Sequence, residues 1–420
     1  MADVIPGTLS IPSDGDDVVL LLTQSNIQIV NWVEYSYNEH FLTPSDAFSF
    51  TIAEERVDAE TAAALVPGAA VTLTINGFVQ SSGYIDAVEK RASRGSGVEW
   101  HIHGRDKLGQ AVDAGIDPTT QFKAKQTLVD LLLAVYAPFG WTTPDAFVVD
   151  NDENRGTLTG QKRGKRTSKK GKVLKQFEIH QLRPYAKEGA HEFAARVCQR
   201  QGLWIWPSAD GQKLIVSTPD FEQDPIYTIR RTYNADNNVL DGTVTYDVSN
   251  QPSIIAAEGF GGGGEYGHGR VRASMANPVT QVTLTPAADA IARTVFSKYT
   301  PVLPTKHAPS YSPVLVPSMR VMYLHDDESK TQDELNNFVY REMALRVRQS
   351  LSVHYTVEGH GQGFDDGTFC PWGVDLVVDV HDEVGGVFEP MWVLSRTFKK
   401  SRNGGTTTDL ELLRLYSLDF

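Results

Sequence analysis

One stretch, Val71–Asp113, limits what this chain can become more than any other, because it reads as a compact three-strand unit. Val71, Leu73 and Ile75 alternate with Thr72, Thr74 and Asn76, the period of a strand with one buried and one wet face. Asn76-Gly77 is a hairpin turn signal, and Gly83–Val88 opens the returning strand. A polar loop at Ser93–Gly97 leads to a third strand, with Val98, Trp100 and Ile102 on one face and Glu99, His101 and His103 on the other. Gly104-Arg105-Asp106 closes the unit.

A second copy of this pattern lies near the C-terminus. Leu376, Val378 and Val380 alternate along a strand, Asp382–Gly386 turns, and Met391–Phe398 returns. Ser401-Arg402-Asn403-Gly404-Gly405 matches Ser93-Arg94-Gly95-Ser96-Gly97 in place and character, and Leu410 and Leu412 continue the last strand. The repeat predicts an internal duplication over 18–113 and 345–415. It places Val71–Asn76 over Val374–Asp379, Tyr84–Glu89 over Trp392–Thr397, and Val98–His103 over Thr408–Leu413.

The rest of the chain fills in around the two copies. Phe48, Phe50 and Ile52 alternate cleanly, so residues 1–113 are expected to form an antiparallel barrel or sandwich, with a short helix at Ala59–Leu65. Residues 114–225 read as an α/β middle domain. Leu128, Leu131, Leu132 and Val135 share one helical face, as do Ala190, Phe193, Ala194 and Val197, and a hairpin turns at Asp210-Gly211. Residues 226–335 read as a β-rich accessory domain with long loops, including Gly259–Gly269. Residues 336–420 read as a helix followed by the second barrel, the helix opening on the capping box Thr331/Glu334. The fold class is therefore mainly β with an α+β insertion: two similar antiparallel barrels plus α/β and β-rich accessory domains.

Chemistry is harder to find. Gly259–Gly264 satisfies Gly-x-Gly-x-x-Gly, but the Gly-rich continuation cannot be the helix that a pyrophosphate needs, so a mobile loop is expected. Gly160–Arg166 echoes a phosphate loop, yet it is one residue short and lacks the Ser or Thr after its lysine. His191-Glu192 has Ala195 where a zincin's second histidine would stand. His101 and His103 share a strand face without a third ligand, and Cys198 and Cys370 belong to no paired motif. No catalytic, metal or cofactor site is expected. What stands out is a basic run, Lys162, Arg163, Lys165, Arg166, Lys169, Lys170, Lys172 and Lys175, within the loop 155–175 of a chain whose net charge is −13. It is either a solvated mobile loop or a charge contact with DNA, an acidic neighbour or an anionic membrane surface. No secretory leader precedes Val18–Leu22, which is too short to span a bilayer, so folding in a cytoplasm is expected.

Several of these residues carry a resemblance. Gly83-Tyr84-Ile85-Asp86-Ala87-Val88 followed by Gly104-Arg105-Asp106 and the run to Val112-Asp113 resembles the baseplate hub, tail protein P, of Mu-like contractile phages, also called the late control D family. Glu188–Phe193 running into Gln201–Trp204 is similar to the segment shared with the hub part of VgrG proteins. Pro371-Trp372-Gly373, Trp392-Val393-Leu394 and Gly404–Leu410 also fit the hub pattern. The resemblance implies a non-enzymatic, homotrimeric symmetry adaptor in which each chain supplies two tube barrels related by about 60°. It implies partners: the hexameric tail tube protein or a distal tube initiator ring, the central spike, other baseplate proteins, and phage DNA in transit. It places the protein in the virion, assembled in a bacterial host cytoplasm. An acidic balance suits a channel wall that must not hold phosphates. The competing reading is a carbohydrate-binding or carbohydrate-active β protein, whose seven Trp would line a sugar groove.

Overall fold

The computed structural model of the chain describes residues 16–94, 97–122, 127–149, 183–199, 203–233, 237–260, 270–278, 280–282, 285–302, 314–316, 319–327, 329, 331–363, 368–401 and 405–415. The protein is mainly β, and its largest element is a curled, almost wholly antiparallel sheet of 13 strands.

The N-terminal module holds β1 (Val18–Leu22), β2 (Ile27–Ile29), β3 (Glu34–His40), β4 (Ala47–Ala53), the helix α1 (Ala59–Ala64), β5 (Ala70–Ile75), β6 (Phe78–Ser93) and β7 (Gly97–Asp106). The alternation read from the sequence is the burial found. Val71, Leu73, Ile75, Phe48, Phe50 and Ile52 are all buried in one core. Asn76 and Gly77 both have positive φ (49° and 80°), which matches the right-handed strand twist at a two-residue turn. Asp58 caps α1 by accepting from Thr61 N.

The chain then leaves the sheet. α2 (Gly109–Asp113), α3 (Leu128–Tyr136), β8 (Phe147–Val149), α4 (Ala190–Gln199), β9 (Trp204–Pro207) and β10 (Leu214–Ser217) build a unit in which both larger helices bury one face against the sheet β8-β10-β9. The hairpin expected at Asp210-Gly211 is the antiparallel pair β9·β10. β11 (Tyr227–Arg231) and β12 (Val239–Tyr246) return to the large sheet.

Between β12 and its next partner lies a separate unit: β13 (Ile254–Phe260), β14 (Arg270–Ala276), β15 (Thr280–Val282), α5 (Pro286–Lys298), β16 (Thr300–Pro301), β17 (Val314–Val316), β18 (Val321–Asp326) and α6 (Gln332–Val347). β13 is buried on both faces, so it reads as a continuous apolar run. Ile255 and Ala257 meet Leu335, Val339 and Met343 of α6, while Ile254 and Ala256 meet Val295 of α5. The capping box Thr331/Glu334 starts α6 as expected.

The chain closes with β19 (Leu351–Glu358), β20 (Gly361–Gly363), β21 (Phe369–Pro371), β22 (Val377–Asp382), β23 (Pro390–Lys400) and β24 (Thr406–Arg414). The large sheet runs β12-β19-β24-β23-β3-β4-β7-β6-β5-β1-β2, with β22 and then β11 branching from β23. β11 and β12 therefore pair within this sheet, β11 with β22 and β12 with β19, and α6 packs on the accessory sheet while its Leu345 also meets the cluster of Val377, Trp392 and Leu413.

Strand order repeats across the sheet. The N-terminal half reads β3-β4-β7-β6-β5-β1 and the C-terminal half β12-β19-β24-β23-β22-β11, in the same chain order. The repeat extends to an irregularity: the β6·β7 ladder shifts register between Ile85 and Ala87, and β23·β24 shifts between Val393 and Ser395. With the two bulges aligned, Tyr84–Glu89 falls on Trp392–Thr397, as the sequence predicted. The other two expected matches slide. Val98 falls on Thr406, not Thr408, and Ala70 on Val377, so Val71–Asn76 does not fall on Val374–Asp379. Both errors are even numbers of residues. Alternation fixes the face a side chain takes but is blind to a slip of two or four. One pairing differs between the halves: β1·β5 is antiparallel and β11·β22 parallel.

Candidate functional site

Several residues that carry the resemblance hold the N-terminal strands together, and the reason is visible for Gly83, Gly104, Arg105 and Asp106. A Cβ on Gly83 would lie 2.0 Å from Arg105 O, and one on Gly104 would lie 2.2 Å from the Phe48 ring and 2.3 Å from Tyr84 O. Only glycine lets these strands approach so closely. Arg105 holds Asp86 (Nε–Oδ2, 2.7 Å) and Asp113, tying the bulge of β6 to the end of α2. Asp106 accepts from Ser45 Oγ (2.7 Å), Asp46 N (3.0 Å) and Gly109 N (3.2 Å), which fixes the exit from the large sheet. Burial pushes its carboxyl up to about 6, against the pull of those donors.

The more telling region is where the two halves of the sheet meet. β3 pairs antiparallel with β23 from Tyr35↔Lys400 to His40↔Ser395. Arg396 lies in this seam and is only 1% exposed. Its guanidinium pairs with Glu39, donates to Trp372 O and sits over the Phe398 ring at 4.5 Å. Burial opposes its charge, yet Glu39 and the neighbouring groups outweigh that and hold its pKa above the usual value. Beside it, His360 bridges Tyr35 Oη (2.6 Å) and Thr408 Oγ1 (3.2 Å), and burial lowers its pKa to about 4. The core runs through the seam without a break: Tyr35, Tyr37 and Phe50 belong to the same cluster as Tyr227, Trp372 and Phe398. Nothing in the sequence sets Arg396 apart from Lys399 and Lys400, the other charged residues of its strand.

The C-terminal half closes on a second charged group. Arg231 of β11 grips Asp382 (2.8 and 2.6 Å) and also donates to Gly242 O on β12 (2.6 Å). Tyr355 Oη donates to the same Asp382 (2.6 Å).

The residues weighed for chemistry sort as follows. His191 is buried, shares a hydrogen bond with Tyr136 Oη (2.8 Å), and is lowered to about 4 by burial alone. His101 contacts Thr51 Oγ1 (3.2 Å). Cys198 and Cys370 are buried and unpaired in disulfides. Among the described residues no group of three or more His, Cys, Asp or Glu could hold a metal ion, and no described helix is long and apolar enough to cross a membrane. The tryptophans of the sugar-groove reading are mostly used in packing. Trp32, Trp141, Trp372 and Trp392 are buried, while Trp100, Trp204 and Trp206 are partly covered, so none of the seven forms an exposed platform. The basic run Lys162, Arg163, Lys165, Arg166, Lys169, Lys170, Lys172 and Lys175 and most of Gly259–Gly269 lie outside the described residues.

Solved structures with the same fold are tail proteins. The tail protein from Neisseria meningitidis MC58 is similar at 21% identity and a TM-score of 0.69, covering 96% of this chain and 99% of that one. The 43 kDa tail protein of prophage MuSo2 from Shewanella oneidensis is similar at 19% identity and a TM-score of 0.68, covering 96% and 100%. No curated protein matches the chain. Residues 19–106 match the model of the family described as Mu phage baseplate assembly protein GpP-like, N-terminal. Over this module, about a fifth of the chain, the protein is similar to that family.

Proposed function

We propose that the protein is the hub of a contractile phage tail baseplate or a related injection system, a homotrimer that joins the hexameric tail tube to the trimeric spike. The observation that carries this is the doubled half-sheet. Strand order, chain order and the bulge recur in both halves, which supports two equivalent tube barrels per chain, 18–106 and 227–246 with 351–414. On this reading 247–350 is an insertion between two strands of the second barrel, and 107–217 is a separate α/β domain. A chain with two like modules meets six tube subunits with three copies, each module taking one place on the ring.

The resemblance to hub proteins adds the neighbours: the tail tube protein or a distal tube initiator ring on one face, the spike on the other, and further baseplate proteins around the rim. The channel carries phage DNA in transit, and a net charge of −13 keeps its wall from retaining the phosphate backbone. The basic run at 162–175 is proposed as a charge contact within this assembly, and the protein is placed in the virion after assembly in the bacterial cytoplasm.

Negative-stain electron microscopy with native mass measurement tests the proposal. A ring of three 46.3 kDa chains with six similar lobes around a central hole is the expected result. A compact monomer at every concentration, or a ring of another order, overturns it.

A further inference from the structure

The seam inside the chain is a strand pairing whose equivalents in the two halves are left open among the described residues. β23 has three strand neighbours: β22 along its first residues, β24 along one edge throughout, and β3 along the other edge from Ser395 to Lys400. β6 occupies the equivalent place in the N-terminal half but has only two. β5 follows it to Tyr84 and β7 follows the opposite edge to Ser93. Among the described residues no strand lies along the remaining edge of Ala87–Ser93.

The equivalent of β3 is equally short of a partner. Among the described residues β12 pairs with β19 on one side and has no strand along its other edge. The register shift of β12 lies between Val239 and Asp241, outside the stretch Thr243–Tyr246. Thr243, Val244, Thr245 and Tyr246 are strong strand formers, there is no lysine, proline or bulge among them, and Tyr246 is 57% exposed. An unprotected edge of this kind is normally covered. The opposite end of the sheet, β2, is a three-residue strand.

We infer that β12 of one copy pairs antiparallel with the free edge of β6 in the next copy, in the register that β3 and β23 show within the chain. This rests on the two-barrel reading above and goes further by naming the strands and residues that meet. The register follows from four ladders. Aligned bulges put Arg396, Thr397, Phe398 and Lys399 on Val88, Glu89, Lys90 and Arg91. The β4·β7 and β19·β24 ladders then put Phe50 on Tyr355. The β3·β4 and β12·β19 ladders carry this to Ser36, Tyr37, Asn38 and Glu39 on Thr243, Val244, Thr245 and Tyr246. The seam pairs Glu39↔Arg396, Asn38↔Thr397, Tyr37↔Phe398 and Ser36↔Lys399 become Tyr246, Thr245, Val244 and Thr243 against Val88, Glu89, Lys90 and Arg91 of the next copy.

The side chains suit this register. Tyr246 meets Val88, an aromatic against a β-branched residue. Val244 meets the aliphatic stem of Lys90, whose head already reaches Glu54 and the Trp100 ring. Thr245 and Thr243 offer hydroxyls to Glu89 and Arg91, which already pair with each other at 2.6 Å. The ladder stops at Gly242, whose carbonyl is taken by Arg231. The contact is head to tail, so it closes into a ring only if repeated rotation returns to the start.

Paired cysteines read the register directly. Opposed residues of an antiparallel pair sit roughly 4.5–5.5 Å apart at Cα, within reach of a disulfide. Oxidised E89C/T245C is expected to give a covalent trimer on a denaturing gel, and an equal mix of the two single variants a covalent dimer. E89C/D241C, displaced by four residues or about 13 Å, is expected to stay uncrosslinked. The resident Cys198 and Cys370 are buried and do not interfere. As a second measurement, Thr245→Glu sets like charges opposite Glu89 and should weaken trimerisation several-fold, with Glu89→Lys restoring it. A trimer by native mass that crosslinks through neither E89C/T245C nor responds to the charge exchange overturns the strand pairing while leaving the ring. A chain that stays monomeric and uncrosslinked at high concentration overturns both.

Discussion

Removing Arg396 should loosen the joint between the two halves of the sheet far more than its single charge suggests. The guanidinium is almost wholly buried, pairs with Glu39, and satisfies the carbonyl of Trp372. Breaking one side of a buried pair leaves the other charge uncompensated and typically costs about 3–5 kcal/mol. Glu39 retains 20% side-chain exposure, so water relieves part of its loss and Arg396→Met should fall near the lower end, about 3 kcal/mol. Glu39→Gln leaves the guanidinium stranded in the core and should cost at least as much. The double variant R396M/E39Q removes both charges, and what remains is mainly the unpaired Trp372 carbonyl, about 1–3 kcal/mol. The two singles together should therefore exceed the double by roughly 2 kcal/mol or more. Urea unfolding followed by tryptophan fluorescence suits the measurement, because buried Trp372 and Trp392 flank the seam. Loss of less than about 1 kcal/mol in Arg396→Met, or additivity of the two singles, would refute the account of Arg396 as the fastener of the seam.

Three further outcomes follow from the same structure and a fourth from the sequence. Gly104→Ala drives a Cβ into the Phe48 ring and the Tyr84 carbonyl and should cost about 3 kcal/mol or prevent folding, whereas Gly405→Ala, with open space around it, should be neutral; soluble yield and urea midpoints compare them. Asp106 binds its proton more tightly folded, near 6, than unfolded, near 3.8. Its contribution is thus favourable at low pH and lost as pH rises through about 6, on the order of 3 kcal/mol, and Asp106→Asn should flatten that slope in midpoints taken from pH 4 to 7. His191 acts in the opposite sense: lowered from 6.5 to about 4, it supports the fold when neutral and loses that support as pH falls below 6.5, so His191→Gln should blunt the acid loss. Replacing Lys162, Arg163, Lys165, Arg166, Lys169 and Lys170 with Ser should lower particle assembly while leaving the urea midpoint unchanged; normal particle yield would count against a charge contact there.

Much of this architecture was legible in the chain itself. Strand alternation at Val71–Ile75 and Phe48–Ile52, the Asn76-Gly77 turn and the Thr331/Glu334 box are local signals, set by neighbours a few residues away, and they hold in the fold. The repeat of Tyr84–Glu89 in Trp392–Thr397 was local too, because both segments carry the same bulge in the same hairpin. What the sequence could not determine was register and membership. A slip of two residues leaves every side chain on its own face, so the alignment of β7 with β24 needed the ladder itself. β11 and β12 look like any strands of a loop-rich segment, and only pairing over more than a hundred residues, Val244 to Val353, assigns them to the second half-sheet. The seam was hidden for the same reason. Arg396 and Glu39 are 357 positions apart, and a buried ion pair has no sequence period; it exists only once the tertiary fold has excluded water from both charges.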